Sequence, residues 1–248
     1  MTLLQAIILG IVQGITEFLP ISSSGHLVLG ETLFNLEVAD LKDFDVTVHV
    51  ATLLAILVYF WRDLIKPKYW PYLILGTIPA VIIGFTLEDQ IDAIFRSALS
   101  VGIVMMIVGA LFQIPEPKTK PKKLTSGKGT WLRVLLIGLA QSIALIPGVS
   151  RSGSTILTGT LLGLKREEAA RFSFMLGSIA IAGAGLLTAL DLTTLTISTS
   201  TLAAGFIAAF LAGLAAVSWL MAYLKNNSLR VFGIYLLAVG VITIIFSL

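Results

Sequence analysis

Two stretches of the sequence, QGITEFLPISSSGH at residues 13–26 and QSIALIPGVSRSGS at residues 141–154, interrupt long apolar segments with proline, glycine and serine. Residues of this kind end a helix, so neither segment is predicted to run straight through a bilayer. A broken helix inside a membrane is tolerated where protein or a watery cavity satisfies the freed backbone groups. We therefore predict a re-entrant helix–loop–helix hairpin over residues 3–34 and another over residues 131–164.

The rest of the composition is that of a protein that crosses a membrane several times. Of the 248 residues, 56% are hydrophobic and 12% are charged, whereas soluble domains are about 45–50% apolar and about 25% charged. The net charge of +3 is too small to indicate nucleic-acid binding, and the absence of cysteine excludes disulfides. Six stretches approach the roughly 20 apolar residues that span a bilayer as a helix: residues 46–61, 69–87, 97–114, 170–190, 202–224 and 229–248.

The two hairpins are related to each other by sequence. One constant shift along the chain aligns Gly10 with Gly138, Gln13 with Gln141, Ser22 with Ser150, Ser24 with Ser152 and Gly25 with Gly153. We therefore predict a single membrane domain, residues 1–248, made of two repeats at about 1–115 and 130–248 and a basic cytoplasmic linker at 116–130. The predicted fold class is an all-α integral membrane protein with about six spanning helices and two re-entrant hairpins.

Three crossings in each repeat turn the second repeat upside down relative to the first, which makes an inverted-topology repeat. Loop charge tests this prediction independently, because short cytoplasmic loops are rich in lysine and arginine. Acidic residues concentrate at 31–45, 88–92 and 191, whereas basic residues concentrate at 62–68, 118–133, 165–171 and 225–230. We therefore expect a multi-pass membrane protein with both termini outside, the first hairpin entering from outside and the second from inside; the resemblance given below implies the plasma (inner) membrane.

Two charged residues, Glu17 and Arg151, remain at membrane depth once the loop charges are set aside. They lie in different hairpins, and an ionisable residue inside a membrane is costly and marks a functional site by default. The alternative interpretation is a structural ion pair that holds the hairpins together.

The residues around this pair favour an anion site. The segments SSSGH, residues 22–26, and SRSGST, residues 150–155, each begin a helix after a proline. Each helix start exposes free backbone N–H groups and the positive end of the helix dipole, which attract phosphate. Arginine holds phosphate with paired hydrogen bonds. Serine and glycine are also common close-packing residues of membrane helices, which is the alternative for each of them taken singly.

Metal binding is predicted on the helix that precedes the first break. Gln13 and Glu17 are four residues apart, so they share one helix face and can offer oxygen atoms to one cation. Mg²⁺, or another divalent cation such as Ca²⁺, bound between these side chains and substrate phosphate is the arrangement we expect. His26, beside the predicted phosphate site, is a catalytic candidate, whereas His49 is predicted to be structural.

The sequence resembles a known family at these motifs. QGITEFLPISSSGHL resembles the first signature of the undecaprenyl-pyrophosphate phosphatases, the bacitracin-resistance family, and PGVSRSGSTI resembles the second. The resemblance implies catalytic roles for Glu17, Ser23, His26 and Arg151. It also implies a pyrophosphate site, for which the candidates are Ser22, Ser24, Ser150, Arg151, Ser152 and Thr155. Gln13 departs from the glutamate of many members, which leaves Glu17 as the sole carboxylate of the motif.

The activity implied by the resemblance is hydrolysis of an isoprenoid pyrophosphate lipid, undecaprenyl pyrophosphate, to the monophosphate carrier used in cell-wall synthesis. The expected partners are this substrate and membrane lipids, without nucleic acid, and a homodimer is compatible with the sequence. Residues alone leave the nucleophile open between His26, Ser23 and water. We favour His26 as the nucleophile, because a serine hydroxyl is a weak nucleophile without a base beside it, and His26 is the nearest candidate for that base along the chain. The choice is therefore between attack by His26 and activation of Ser23 by His26.

Two other functions were weighed against this hydrolysis. A membrane phosphatase of the phosphatidate-phosphatase type needs a histidine after the arginine, and no histidine follows Arg151. The stronger alternative is a polyprenyl-phosphate transporter or flippase with the same anion site, because broken helices in inverted repeats are typical of alternating access.

Overall fold

The computed structural model describes residues 1–36, 41–95, 97–117, 122–124, 129–191 and 197–247. These residues form helices and connecting turns and no β-strand, which confirms the all-α prediction. The helices are α1 (Leu3–Phe18), α2 (Ser23–Leu33), α3 (Lys42–Leu64), α4 (Trp70–Phe95), α5 (Ala98–Leu111), α6 (Thr130–Ile143), α7 (Arg151–Leu161), α8 (Arg166–Asp191), α9 (Thr199–Tyr223) and α10 (Arg230–Ser247).

Both predicted helix breaks are present. Helix α1 ends before Leu19, whose backbone is extended as is usual for a residue that precedes proline, and α2 begins after Ser22. Helix α6 ends before Ala144, and α7 begins after a turn in which Gly148 has a φ of 92°. Since α2 and α7 have 11 residues each, each is roughly 16 Å long, which is too short to cross a hydrocarbon core of about 30 Å.

In the part of the chain that the structure describes, five helices are long and apolar enough to cross a membrane, namely α3, α4 with the turn before it, α8, α9 and α10. The sixth predicted span, residues 97–114, contains only the 14 residues of α5 as regular helix, or roughly 21 Å. Large apolar side chains cover the outer surface: Phe85 is 74% exposed and Phe246 is 88% exposed. A surface of this kind is stable against lipid rather than water. The chain is therefore a multi-pass membrane protein.

Each half of the chain packs one of its helices against a helix of the other half. Helix α1 packs on α9, and the equivalent helix α6 packs on α4. In the first contact Gly10 faces the backbone carbonyl of Gly205, and in the second Gly138 faces the carbonyl of Gly76. A β-carbon on Gly10 or Gly138 would overlap that carbonyl, so glycine permits the close approach. The orientation of the halves relative to a membrane stays a prediction.

A buried aromatic cluster lies next to the hairpin tips. The ring centroid of Phe174 on α8 is 5.6 Å from that of Phe18 on α1 and 5.8 Å from that of Phe60 on α3. These rings are essentially inaccessible to solvent. Because Phe18 directly follows Glu17 and Phe174 directly follows Ser173, the cluster fixes the depth of two polar side chains at the site described below.

Some of the residues assigned to loops by charge lie outside the described residues. They include 37–40 of the acidic segment, Arg96, and 118–121 and 125–128 of the predicted linker. The remaining part of the linker packs on the second half, since the backbone N–H of Lys122 donates to the carbonyl of Gly163 at 2.8 Å.

Candidate active site

The tips of the two hairpins meet around one small cavity of about 80 Å³. Helix α1 and the start of α2 form one wall, and the α6–α7 turn with the start of α7 forms the other. The cavity is lined by Thr16, Glu17, Ser22, Ser23, Ser24, Ala144, Val149, Ser150, Arg151 and Ser152. The fold thus brings together hydroxyl groups, one carboxylate and one guanidinium from two distant parts of the sequence.

Glu17 and Arg151 form an ion pair across the cavity, in which Nη2 of Arg151 donates to Oε1 of Glu17. Their side chains are 5% and 16% exposed, so both charges are largely removed from solvent. Removing one partner of a buried pair leaves the other charge uncompensated, at a cost of about 3–5 kcal/mol. Glu17 and Arg151 thus lie together and form the ion pair that was the alternative interpretation, in a cavity that also contains free hydrogen-bonding groups.

The second carboxylate oxygen of Glu17 accepts two further hydrogen bonds. The hydroxyl of Ser23 donates to Oε2 at 2.7 Å, and the amide of Gln13 donates to the same atom at 3.0 Å. The base beside Ser23 is thus Glu17, whereas the sequence favoured His26 for that position. A serine hydroxyl that donates to a carboxylate has an acceptor for its proton, which is what activates it as a nucleophile.

His26 is turned away from the cavity. Its Nδ1 lies 2.9 Å from the carbonyl oxygen of Ser22, and its Nε2 lies 2.6 Å from the hydroxyl of Tyr235 on α10. The carbonyl only accepts, so Nδ1 donates to it, and in the neutral imidazole Nε2 then accepts from the hydroxyl of Tyr235. In this geometry neither ring nitrogen is free to attack a phosphorus atom.

The start of α7 provides the predicted anion-binding end of a helix. The hydroxyl of Ser150 caps this helix by accepting from the backbone N–H of Gly153 at 3.2 Å. It also lies 3.3 Å from the hydroxyl of Ser152. The remaining N–H groups of this turn, together with the side chain of Arg151, concentrate positive charge at the cavity wall.

Thr155 does not line the cavity. Its hydroxyl donates to the carbonyl of Arg151 at 2.8 Å and lies 2.5 Å from the hydroxyl of Ser173 on α8. Thr155 therefore lies between α7 and α8, behind the other phosphate candidates, and its contact with phosphate stays a prediction from the resemblance.

Buried polar atoms near the cavity that find no hydrogen-bond partner among the described residues include Oε1 of Gln13, Oγ of Ser22 and Nη1 of Arg151. Buried polar atoms in native proteins are normally satisfied, so unsatisfied ones at a cavity indicate groups that are free for a ligand. Nη1 of Arg151 and the Ser22 hydroxyl suit phosphate oxygens. Oε1 of Gln13 suits a cation.

The predicted Mg²⁺ site fits these residues. Gln13 and Glu17 supply oxygen atoms, and the unsatisfied Oε1 of Gln13 is of the kind that Mg²⁺ binds. Within the described residues, no group of three or more histidine, cysteine, aspartate or glutamate side chains could hold a metal. A cation here therefore needs substrate oxygens or water to complete its coordination, as is usual for Mg²⁺.

Two further residues that the sequence did not indicate contact the site. Nη1 and Cζ of Arg151 occupy the space that a β-carbon on Gly177 of α8 would take. Tyr235 of α10 covers His26. No local pattern could have identified either residue, because each acts on a partner that is distant in the sequence.

Comparison with known proteins identifies the family. The model of the family "Bacitracin resistance protein BacA" matches residues 6–242. An "Undecaprenyl-diphosphatase" of Methanosphaera stadtmanae is 40% identical over 99% of this chain and 98% of its own. Proteins of the same name from Pelotomaculum thermopropionicum and Elusimicrobium minutum are 40% and 39% identical, each over 100% of this chain and over 97% and 99% of their own. With these matches along its whole length, and with both hairpin motifs in one cavity, the chain belongs to the BacA bacitracin-resistance family.

Proposed function

We propose that the protein hydrolyses undecaprenyl diphosphate to undecaprenyl phosphate and inorganic phosphate, and so recycles a carrier lipid for cell-wall synthesis. The names of the full-length relatives support this activity. The observation that carries it is the double engagement of Glu17, which accepts from the hydroxyl of Ser23 with one oxygen and from Arg151 with the other. The carboxylate of Glu17 thereby serves as the base for the nucleophile Ser23 and also holds the phosphate-binding guanidinium of Arg151.

Arg151 binds the terminal phosphate in this proposal. Its Nη2 remains on Glu17, and its unpartnered Nη1 donates to a phosphate oxygen. The N–H groups at the start of α7 and the hydroxyls of Ser22, Ser24, Ser150 and Ser152 bind the remaining charge. All of these groups except the backbone come from the wall of one cavity.

Ser23 is the nucleophile in this proposal. Its Oγ forms a bond to the terminal phosphorus while the bond from that phosphorus to the bridging oxygen breaks, and the hydroxyl proton passes to Glu17. Undecaprenyl phosphate then leaves. Water attacks the phosphoserine, the Oγ–P bond breaks, Ser23 regains its proton from Glu17, and the elements of water leave with the phosphate.

Gln13 and Glu17 would hold Mg²⁺, or another divalent cation such as Ca²⁺, together with substrate oxygens. A bound cation would offset the charge of the diphosphate and polarise its phosphoryl oxygens.

The lipid nature of the substrate accords with the apolar outer surface. The isoprenoid tail stays in the bilayer while the diphosphate reaches the cavity between the hairpin tips. We also propose that the protein lies in the plasma membrane with both termini outside, which the distribution of loop charge supports.

Phosphate release from the purified protein tests this function. Protein in lipid nanodiscs is incubated with undecaprenyl diphosphate and Mg²⁺, and inorganic phosphate is measured over time, with Ser23→Ala as the blank. We expect multiple turnovers per protein. Binding of the lipid without phosphate release, combined with its transfer across the bilayer of a liposome, would instead establish the transporter alternative.

A further inference from the structure

Ser22 has an unusual backbone conformation at the point where the chain turns into α2. Its φ is 69° and its ψ is 93°, and it directly precedes Ser23. A residue with a side chain rarely adopts a positive φ, and holding it there costs on the order of 1–3 kcal/mol. Its own hydroxyl does not cap α2 and makes no other hydrogen bond to the residues that the structure describes. The conformation is therefore held by groups other than the Ser22 side chain.

His26 supplies two of these contacts. The carbonyl oxygen of Ser22 accepts from the backbone N–H of His26 at 3.4 Å and from Nδ1 of its ring at 2.9 Å. This carbonyl belongs to the peptide group that joins Ser22 to Ser23, so its direction determines the orientation of the Ser23 backbone. In that direction the Ser23 hydroxyl reaches Glu17.

Tyr235 in turn holds the ring of His26 from the other half of the chain. The hydroxyl of Tyr235 lies 2.6 Å from Nε2, and the two ring planes are 16° apart with their centroids 5.6 Å apart. Both nitrogens of the imidazole are thereby occupied. A ring held at both nitrogens has little freedom to leave the Ser22 carbonyl.

We propose that Tyr235 is a positioning residue that acts through His26 to hold the strained Ser22 turn, and thereby aims Ser23 at Glu17. The proposal rests on the proposed function only in taking Ser23 as the nucleophile. It assigns His26 to positioning, and it makes α10 a necessary support for the turn of the first hairpin that carries Ser23.

Tyr235→Phe tests the proposal, because it removes the hydroxyl and keeps the aromatic ring. Loss of one hydrogen bond lowers kcat about fivefold to tenfold, with KM unchanged, since the phosphate-binding groups are not altered. The matched control is Tyr59→Phe, whose hydroxyl makes no hydrogen bond within the described residues and whose ring lies on α3. Equal kcat values for Tyr235→Phe and the parent protein would overturn the proposal.

Ser22→Gly provides a second and more specific test. Glycine adopts a positive φ without strain, so a turn that contains it does not need to be held. The effect of Tyr235→Phe on ln kcat is measured twice, once against the parent protein and once against Ser22→Gly. We expect the second effect to be less than about half of the first. The same fold loss in both backgrounds would mean that Tyr235 does not act through the turn.

Nitrogen NMR of labelled histidine separates this proposal from the proposed function, because it needs no turnover. The chain has only two histidines, and His49 is an internal control, since its Nδ1 also contacts a carbonyl four residues earlier, that of Asp45 at 2.7 Å. Tyr235→Phe should shift the Nε2 signal of His26 and leave both signals of His49 in place. An unchanged His26 spectrum would overturn the positioning role of Tyr235, even in an active enzyme. A shifted Nε2 signal in a protein that releases no phosphate would refute the phosphatase function and leave the positioning role intact.

Discussion

The guanidinium of Arg151 occupies the position that a β-carbon on Gly177 would take. The absence of a side chain on α8 thus creates the space in which the cation lies against Glu17. Ser173, one turn earlier on the same helix, contacts Thr155, one turn after Arg151 on α7. Helix α8 therefore supports the arginine from behind at two points.

Gly177→Ala should displace Arg151 and lower kcat/KM by about 100-fold, the loss expected when a catalytic group moves by roughly 1 Å. Steady-state phosphate release measures this loss. Gly183→Ala on the same helix is the control, because a β-carbon there meets no atom within 4 Å. In the Arg151→Lys background, which itself loses most activity because the paired donors are gone, Gly177→Ala should add little. A full additional loss in that background would separate Gly177 from Arg151.

Glu17→Gln should lower kcat by about 10²–10⁴-fold, the usual contribution of a positioned base, and should abolish the response to Mg²⁺. Turnover across a Mg²⁺ titration checks both effects. Glu116→Gln is the control, since Glu116 pairs with Arg166 at 2.8 Å and lines no part of the cavity. A normal Mg²⁺ response of Glu17→Gln would show that Glu17 only pairs with Arg151.

Ser23→Ala should remove a covalent phosphoenzyme that is stable in mild acid, whereas Ser24→Ala should retain it. The reason is that Ser23 donates to Glu17 and that a phosphate ester of serine survives acid. Rapid quench with substrate labelled in its terminal phosphate, followed by acid or base, distinguishes the adducts. An acid-labile adduct that is lost in His26→Ala would restore histidine as the nucleophile, and no adduct in any variant would indicate direct attack by water.

Single cysteines should report the membrane orientation without background, because the chain contains no cysteine. A membrane-impermeant thiol reagent should label Lys122→Cys and Lys165→Cys only from the cytoplasmic side, and Asp40→Cys and Asp89→Cys only from outside. Labelling of Lys122→Cys and Asp40→Cys from the same side would contradict the inverted-topology prediction.

Much of the fold follows from local sequence. Pro20 ends α1, because proline lacks an N–H group and restricts Leu19 before it. Pro147 lies in the turn that follows α6, whereas Pro79 is accommodated inside α4. The apolar stretches predict spans because bilayer thickness sets their length, although residues 97–114 form a shorter helix than their hydropathy indicates. The isolation of Glu17 and Arg151 among apolar residues similarly indicated that they share a site.

Only the tertiary structure decided which side chains form hydrogen bonds with each other within that site. From the sequence, His26 is the natural base for Ser23, yet the fold turns its ring toward Tyr235 and places Glu17 beside the hydroxyl. A hydrogen bond is made or lost over a few tenths of an ångström, and the positions of Tyr235 and Gly177 relative to the hairpins depend on how distant helices pack. Motif spacing fixes the order of residues along one helix, but it carries no information on the side chains that a second helix brings against them.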